Sequence, residues 1–307
     1  MVTIIIAYAA GVPKILDTCL TALKRHRPGC LVDAIKIVTD ASGYAEAFDA
    51  LNSHPELPVS VTAYDIGFTQ TGSEMHGKLL DMSIVDSNSE YILSLDSDCF
   101  PVADDWVKTL MKMQDEGATI SGILWPWIPP PADLNEKTIE YKIRKYHCYN
   151  CTQVACQLVK RNFIIQNKLS FVSLRDTGFA ITDKARELGL QVKGLMPTRC
   201  PMPEGDIDPE VNRMCSVIYG DMIYHHGAAT RSVTVSSVDP QGFFNEARNR
   251  VLREKGAEWL LDDNNSYRYK FDKEEAVAQF KMASMFSMMQ TYLTTHDRLF
   301  EPEGGLG

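Results

Sequence analysis

Two aspartates stand two positions apart at the end of an apolar run, in the stretch EYILSLDSD. On an extended strand Asp96 and Asp98 would point to one side and Ser97 to the other, because alternate residues of a strand face the same way. Buried carboxylates are costly unless they are paired or bind a metal, and Mg²⁺ and Mn²⁺ prefer oxygen ligands. The pair predicts a divalent-cation site, with turn-initiating or helix-capping aspartates as the alternative.

The elements that must position this pair alternate along the first hundred residues. Segments rich in β-formers are followed by segments with helical periodicity. The predicted strands cover residues 2–8, 34–40, 59–67 and 90–98, and the predicted helices cover 14–26, 41–54 and 72–88. Such alternation indicates βαβ units and a mostly parallel sheet flanked by helices. Ligands bind such sheets at the carboxyl ends of the strands, where Asp40 would meet the aspartate pair.

Finer expectations concern the segments around this edge. In the third helix, the spacing predicts one buried face formed by Met75, Leu79, Met82, and Ile84 or Val85. A loop is expected to begin at Cys99, and the stretch MCSVIYGDMIYHHGAATR is expected to form one strand followed by two histidines and a small-residue turn. Two domains are predicted, residues 1–238 and a helical C-terminal extension, 239–307, packed on the first, with a disordered tail at 301–307.

Composition limits the classes of protein and partner. The 307 residues are 45% hydrophobic and 23% charged, which is ordinary globular composition, and the net charge of -9 gives no overall attraction to nucleic acid. The opening MVTIIIAYAAG lacks a basic segment and is read as a strand rather than a signal peptide. No 18-residue apolar segment is present, and the eight cysteines are expected to be reduced thiols. These features favour a cytoplasmic protein without a transmembrane segment.

Later polar residues complete a possible ligand set. An imidazole can serve as a third ligand to a cation held by aspartates. His225 and His226 are adjacent, so only one can face the site from a strand, and we favour His226 because it precedes the glycine turn. Arg231 follows at a distance that would let it reach a diphosphate. The alternatives are strand-end histidines and a solvent-facing arginine.

The order of these segments resembles the nucleotide-sugar glycosyltransferases of the GT-A (Rossmann-like) fold, family 2-like. The resemblance covers roughly residues 2–232. It rests on IIIAYAAG, IVTDASG, HGKLLDMSIVDSNSEYI, EYILSLDSDCF, RDTGFAIT and IYHHGAATR, taken in this order.

The resemblance implies roles for individual residues. Asp40 would contact the nucleobase, and His76 and Lys78 would lie near the phosphates; the alternative for each of the latter two is an exposed helix face. The remaining nucleotide contacts and the metal ligands are implied as two sets: Ala7, Tyr8, Asp96, Ser97 and Arg231 for the donor, and Asp96, Asp98, His225 and His226 for Mn²⁺ or Mg²⁺.

The catalytic base is sought in the segment LRDTGFA. Transfer of a sugar to a hydroxyl group requires removal of the hydroxyl proton, and a carboxylate within hydrogen-bond reach is the usual solution. Asp176 is the candidate, and the alternative is that it caps the helix that follows. As a base, Asp176 would imply an inverting reaction, whereas without that role a retaining reaction stays open.

The sequence therefore predicts a metal-dependent hexosyl- or pentosyltransferase using a UDP- or GDP-type sugar donor. Two alternatives use a strand-end aspartate pair differently. A haloacid-dehalogenase-like phosphotransferase would carry Gly-Thr after the second aspartate of its first strand, where this chain has Cys-Phe after its fourth. A nucleotidyltransferase would carry a loop rich in glycine and basic residues after the first strand, where IIIAYAAGVPK has one lysine.

The hydroxyl acceptor is sought in the middle of the chain. Trp125 and Trp127 could offer indole faces to a sugar ring or simply pack a proline-rich loop. Lysines, arginines and tyrosines alternate through residues 137–161, which would suit an anionic acceptor or form a solvated face. The acceptor is expected to be a glycan, a small molecule or modified DNA, and the oligomeric state is not predicted.

Overall fold

The computed structural model describes residues 1–69, 72–125, 151–173, 177–201, 217–226 and 268–270. Its helices are α1 (Pro13–Arg25), α2 (Tyr44–Asn52), α3 (Gly72–Val85), α4 (Trp106–Asp115), α5 (Arg161–Gln166) and α6 (Phe179–Glu187). Its strands are β1 (Val2–Ala7), β2 (Val32–Thr39), β3 (Val59–Ala63), β4 (Tyr91–Asp96), β5 (Cys99–Pro101), β6 (Ala118–Trp125), β7 (Cys151–Lys160), β8 (Gln191–Leu195), β9 (Pro197–Pro201), β10 (Val217–Tyr219), β11 (Ile223–His225) and β12 (Arg268–Lys270).

Seven strands form the central sheet, in the order β3-β2-β1-β4-β7-β6-β8. The pairs among β3, β2, β1 and β4 are parallel, β7 runs antiparallel to β4 and β6, and β8 is parallel to β6. The predicted fold class, a mostly parallel α/β sheet flanked by helices, is confirmed. β1 and β4 are neighbours in register, with Ala7 opposite Asp96.

The core lies on both faces of this sheet. The strand VTIIIA is apolar at nearly every position because it is covered on both sides, as is typical of parallel strands. Ile4 and Ile6 pack with one set of buried residues, to which α1, α2 and α4 contribute. Ile5 packs with the opposite set, to which α3, α5 and α6 contribute. The strand's two-residue alternation thus assigns the helices to two layers.

A second, five-stranded sheet has the order β12-β9-β10-β11-β5 and corrects two sequence expectations. Residues 99–101 form strand β5 instead of beginning a loop, and they pair antiparallel with β11. The stretch expected as one strand is a hairpin of β10 and β11 within its described part. Its two central residues, Gly220 and Asp221, both have φ of 58°, as a type I′ turn requires.

Several predicted features lie outside the described residues. They include Trp127, residues 137–150 and the predicted helices of the C-terminal extension. The described part of 239–307 is the strand β12, which pairs with β9. Among the described helices, none has the length and apolar character needed to cross a bilayer.

The turn of the hairpin generates a stability prediction. A Cβ at Gly220 would lie 2.6 Å from Cδ2 and 3.1 Å from Cβ of Leu195, in addition to the strain of its φ of +58°. We expect Gly220→Ala to lower the free energy of unfolding by about 1–2 kcal/mol for the backbone and about 1–3 kcal/mol more for overpacking. Urea denaturation measures the change.

Gly189→Ala is the matched control for that substitution. Gly189 has a φ of +68° and no atom within 4 Å of an added Cβ, so only the backbone effect applies. Equal losses for the two variants would contradict the close packing of the hairpin turn on Leu195.

Candidate metal and nucleotide site

The aspartate pair lies where the two sheets meet. Asp96 is the last residue of β4, residues 97 and 98 form a turn, and β5 follows at Cys99. The sequence suggested that both aspartates lie on one extended strand, but the strand ends at Asp96 and Asp98 lies in the turn. The turn is held by a hydrogen bond from the backbone N–H of His226 to the carbonyl of Asp98, at 2.9 Å.

Three predicted metal-ligating residues come together at this turn. One ligand atom each of Asp96, Asp98 and His225 lies within 4.8 Å of the other two. Two ligands at about 2.1 Å from one ion lie at most about 4.2 Å apart, so only a small closure would bring all three onto one ion. Two carboxylates and one imidazole form a donor set suited to Mn²⁺. The residues present thus fit a divalent cation.

The register of the small sheet decides which histidine faces the aspartates. His225 is paired with Cys99 across β5 and β11, and its Nε2 lies 4.0 Å from Oδ1 of Asp98. The next residue, His226, is only 2% exposed, and its Nδ1 lies 2.8 Å from the hydroxyl of Tyr224. His226 is not among the three clustered residues. The geometry favours His225 over His226, opposite to the preference taken from the sequence.

His76 approaches the same carboxylate from α3. Its Nε2 lies 3.1 Å from Oδ1 of Asp96; both atoms are inaccessible to solvent, and the contact does not have the angles of a hydrogen bond. Burial raises the pKa of the Asp96 carboxyl, but the neighbouring imidazoles of His76 and His225 outweigh burial and hold that pKa below its usual value. The site therefore favours an ionised Asp96, the form that binds a cation.

On the nucleotide side, Tyr8 is part of the core. It is 1% exposed, and its hydroxyl donates a short hydrogen bond to Oε2 of Glu46, which also accepts from the N–H of Gly11 at 2.8 Å. Burial, with the Glu46 contact, raises the pKa of the Tyr8 phenol well above its usual value. The half-buried Ala7 precedes this loop. Glu46 thus fixes the loop after β1, a role for which the sequence carries no motif.

Asp40 forms a local turn at the start of α2. Its Oδ1 accepts hydrogen bonds from the N–H and hydroxyl of Ser42 and from the N–H of Gly43, at 2.6–3.2 Å. Asp40 is half-buried, and its Oδ2 takes no part in this turn. The carboxylate therefore has a structural role that fixes its direction, with one oxygen left over for a ligand.

Lys78 forms hydrogen bonds with the loop between β3 and α3. Its Nζ lies 2.9 Å from Oε1 of Glu74 and donates to the carbonyl oxygens of Phe68 at 3.1 Å and Ile66 at 3.5 Å. These contacts hold its ammonium group on the loop. They give Lys78 a structural role beside the phosphate contact implied by the resemblance.

The remaining predicted site residues differ in how far they can be placed. Ser97 is 6% exposed and lies in the turn between the two aspartates. Asp176 and Arg231 lie outside the described residues. The helix after Asp176 has Gly178 at its N-cap, so the alternative role of Asp176 as the capping residue is not supported.

The chain has structural likenesses but no sequence matches. No protein-family model and no curated protein sequence matches it. One similar solved structure is the mannosyltransferase PcManGT from Pyrobaculum calidifontis in complex with GDP-Man and Mn²⁺ (13% identity, 98% of this chain and 81% of that chain covered, TM-score 0.47). Another is S. aureus TarS 1-349 in complex with UDP-GlcNAc (13% identity, 98% and 76% covered, TM-score 0.47).

A third similar structure is 4-diphosphocytidyl-2C-methyl-D-erythritol synthase from Anaerococcus prevotii DSM 20548 (13% identity, 64% and 86% covered, TM-score 0.43). At these identities and TM-scores, the likenesses assign no activity to the chain.

The placement of the two histidines generates a prediction about cation binding. We expect His225→Ala to weaken Mn²⁺ binding by about tenfold or more, since even outer-shell partners of metal sites contribute 10–100-fold. His226→Ala should change Mn²⁺ affinity far less, because its imidazole faces Tyr224. Isothermal titration of the metal-free protein with Mn²⁺ measures both. The reverse order of effects would assign the ligand to His226.

Proposed function

We propose that this protein is a metal-dependent glycosyltransferase that moves a sugar from a UDP- or GDP-type donor to a hydroxyl acceptor. The observation that supports this function best is the convergence of Asp96, Asp98 and His225 at the carboxyl edge of a parallel sheet. Ligands bind such sheets at this edge. The family resemblance supplies the donor class, a nucleoside diphosphate sugar.

Three residues would hold the cation: Asp96 from the end of β4, Asp98 from the turn, and His225 from β11. When bound, Mn²⁺ or Mg²⁺ would neutralise the charge that develops on the diphosphate leaving group. The burial of Asp98, which is 6% exposed, limits competition from water for its carboxylate oxygens. Arg231 is proposed as a further diphosphate contact, because a guanidinium group pairs well with phosphate oxygens.

The donor nucleoside is proposed to lie over the ends of β1 and β2. Ala7 is register-paired with both Val38 and Asp96, so the loop after β1 lies between the Asp40 turn and the cation ligands. In this arrangement Oδ2 of Asp40 is available to accept a hydrogen bond from the base. Tyr8 contributes its backbone and the shape of the loop, since its ring is buried.

Asp176 is proposed as the base that removes the proton from the acceptor hydroxyl as it attacks the anomeric carbon, which makes the reaction inverting. The residues beside it support this position. Thr177 donates a hydrogen bond to the carbonyl of Ser73 at 2.9 Å, which ties this segment to α3, the helix that carries His76. On the other side of Asp176, the described residue Val172 lies against Gly77 of the same helix.

The donor proposal predicts a metal-dependent stabilisation. In a thermal-shift panel of nucleotide sugars with Mn²⁺, one donor should raise the melting temperature, because ligand binding stabilises by RT ln(1 + [L]/Kd). The increase should vanish with EDTA and in Asp98→Ala. An equal increase with EDTA present would rule out the metal-dependent donor site.

The assignment of the base predicts a separation of binding from transfer. Asp176→Asn should keep the donor-induced thermal shift and lower transfer by about 10²–10⁴-fold, the usual contribution of general-base catalysis. Transfer is measured by mass spectrometry with glycan, small-alcohol and hydroxylated-base DNA acceptors. Transfer by the variant at a rate near that of the wild type would remove Asp176 from the mechanism.

A further inference from the structure

The contact between His76 and Asp96 joins α3 to the cation ligands. Nε2 and Oδ1 are 3.1 Å apart and inaccessible to solvent, and the contact between them does not have the angles of a hydrogen bond. Both residues keep some exposure, with 19% and 25% of their side chains accessible. Because Nε2 faces the carboxylate, a phosphate could reach this atom only if the contact with Asp96 were broken. His76 is also not among the three residues whose ligand atoms cluster. The imidazole is therefore placed against the carboxylate.

The orientation of the Asp96 carboxylate needs such a contact. The terminal torsion of an aspartate is broad, so packing of the strand alone does not fix the direction of the two oxygens. Asp96 also lies beside Asp98, and two neighbouring carboxylates repel each other in the absence of a cation. An imidazole 3.1 Å from Oδ1 would favour one orientation of the group and partly compensate its burial.

The backbone of His76 is fixed by contacts that do not involve the cation ligands. Its neighbour Gly77 lies so close to the segment that contains Val172 that an added Cβ would be 2.7 Å from the backbone nitrogen of Val172. One turn further along α3, Asp81 accepts a hydrogen bond from the N–H of Phe171 at 2.7 Å and another from the hydroxyl of Ser170. On the N-terminal side, Ser73 accepts from Thr177. The helix thus holds His76 at a set position.

We propose that His76 is a positioning residue that orients Asp96 for the cation. Part of the metal affinity of the site is therefore supplied by α3, from outside the set of ligands. This inference rests on the proposed function, because it requires the cation site formed by Asp96, Asp98 and His225. It replaces the phosphate contact that the resemblance implies for His76.

The test measures binding of Mn²⁺ alone by titration calorimetry and by electron paramagnetic resonance of free Mn²⁺. We expect His76→Ala to weaken Mn²⁺ binding by about 10–100-fold, the range for outer-shell partners of metal ligands. His76→Gln should recover most of the affinity, because its amide nitrogen can take the place of Nε2 against Oδ1. A role in folding alone would not restore Mn²⁺ affinity selectively in the Gln variant.

A second histidine–aspartate pair, His54 with Asp17, supplies the control. His54 is 7% exposed, and its Nε2 lies 2.8 Å from Oδ1 of Asp17, outside the proposed metal and nucleotide site. His54→Gln should leave the Mn²⁺ affinity unchanged. Melting temperatures of all variants in EDTA report any loss of folding, and the comparison of Mn²⁺ affinities is restricted to temperatures at which each variant is folded.

The outcomes separate this inference from the proposed function. If the wild type binds no Mn²⁺, the proposed function fails together with the inference. If the wild type binds Mn²⁺ and His76→Ala binds it equally well, the positioning role is overturned while the proposed function stands. A His76→Ala variant with unchanged Mn²⁺ affinity but weaker binding of UDP or GDP would also overturn it, in favour of the phosphate contact.

Discussion

Two carboxylates at the end of a buried strand impose the strongest constraint on this structure. Placing one charged group in an apolar interior costs several kcal/mol unless it is paired, and here two lie next to each other. The surrounding elements supply compensation from separate parts of the chain: His76 from α3 and His225 from β11. The lowered pKa of Asp96 reflects this balance, because the imidazoles outweigh burial.

The rest of the fold can be understood from this constraint. β1 and β4 are covered on both faces, so the sheet leaves its strand ends as the place where polar groups can gather. The chain turns at residues 97–98 and enters the second sheet as β5. The register of β11 with β5 places His225 beside the aspartates. The polar site therefore lies at the junction of two sheets, and His76 of α3 contacts it.

The sequence predicted the elements whose signals are local. Within residues 2–96, the apolar strands and the helices between them were recognisable from the sequence. Each is long enough to show the spacing of apolar residues that is typical of its type. β5 and β11 are three residues each and depend on pairing across more than 120 positions of the chain, for which one sequence carries no signal. The geometric preference for His225 over His226 follows from that register, which the sequence alone does not reveal.

The third helix shows a different limit of prediction. Apolar residues occur on more than one side of α3, so the spacing alone did not identify the buried face. Met82 is 37% and Val85 75% exposed, while Leu80 is fully buried. The buried face is selected by the close approach of Gly77 to Val172, a contact between distant segments. Glu46 was missed for the same reason, since its partners Tyr8 and Gly11 lie more than 30 positions away.

The junction of the two sheets gives the cation site a mechanical consequence. Asp96 belongs to the central sheet, whereas His225 belongs to the small sheet, and the covalent link nearest to them is the two-residue turn at 97–98. A cation bound by both residues would act as a cross-link between the sheets. Its binding free energy would then add to the local stability of the β10–β11 hairpin, in the way that metal binding adds to folding elsewhere. Opening of this hairpin, and with it hydrogen exchange of its amides, would become a measure of metal occupancy.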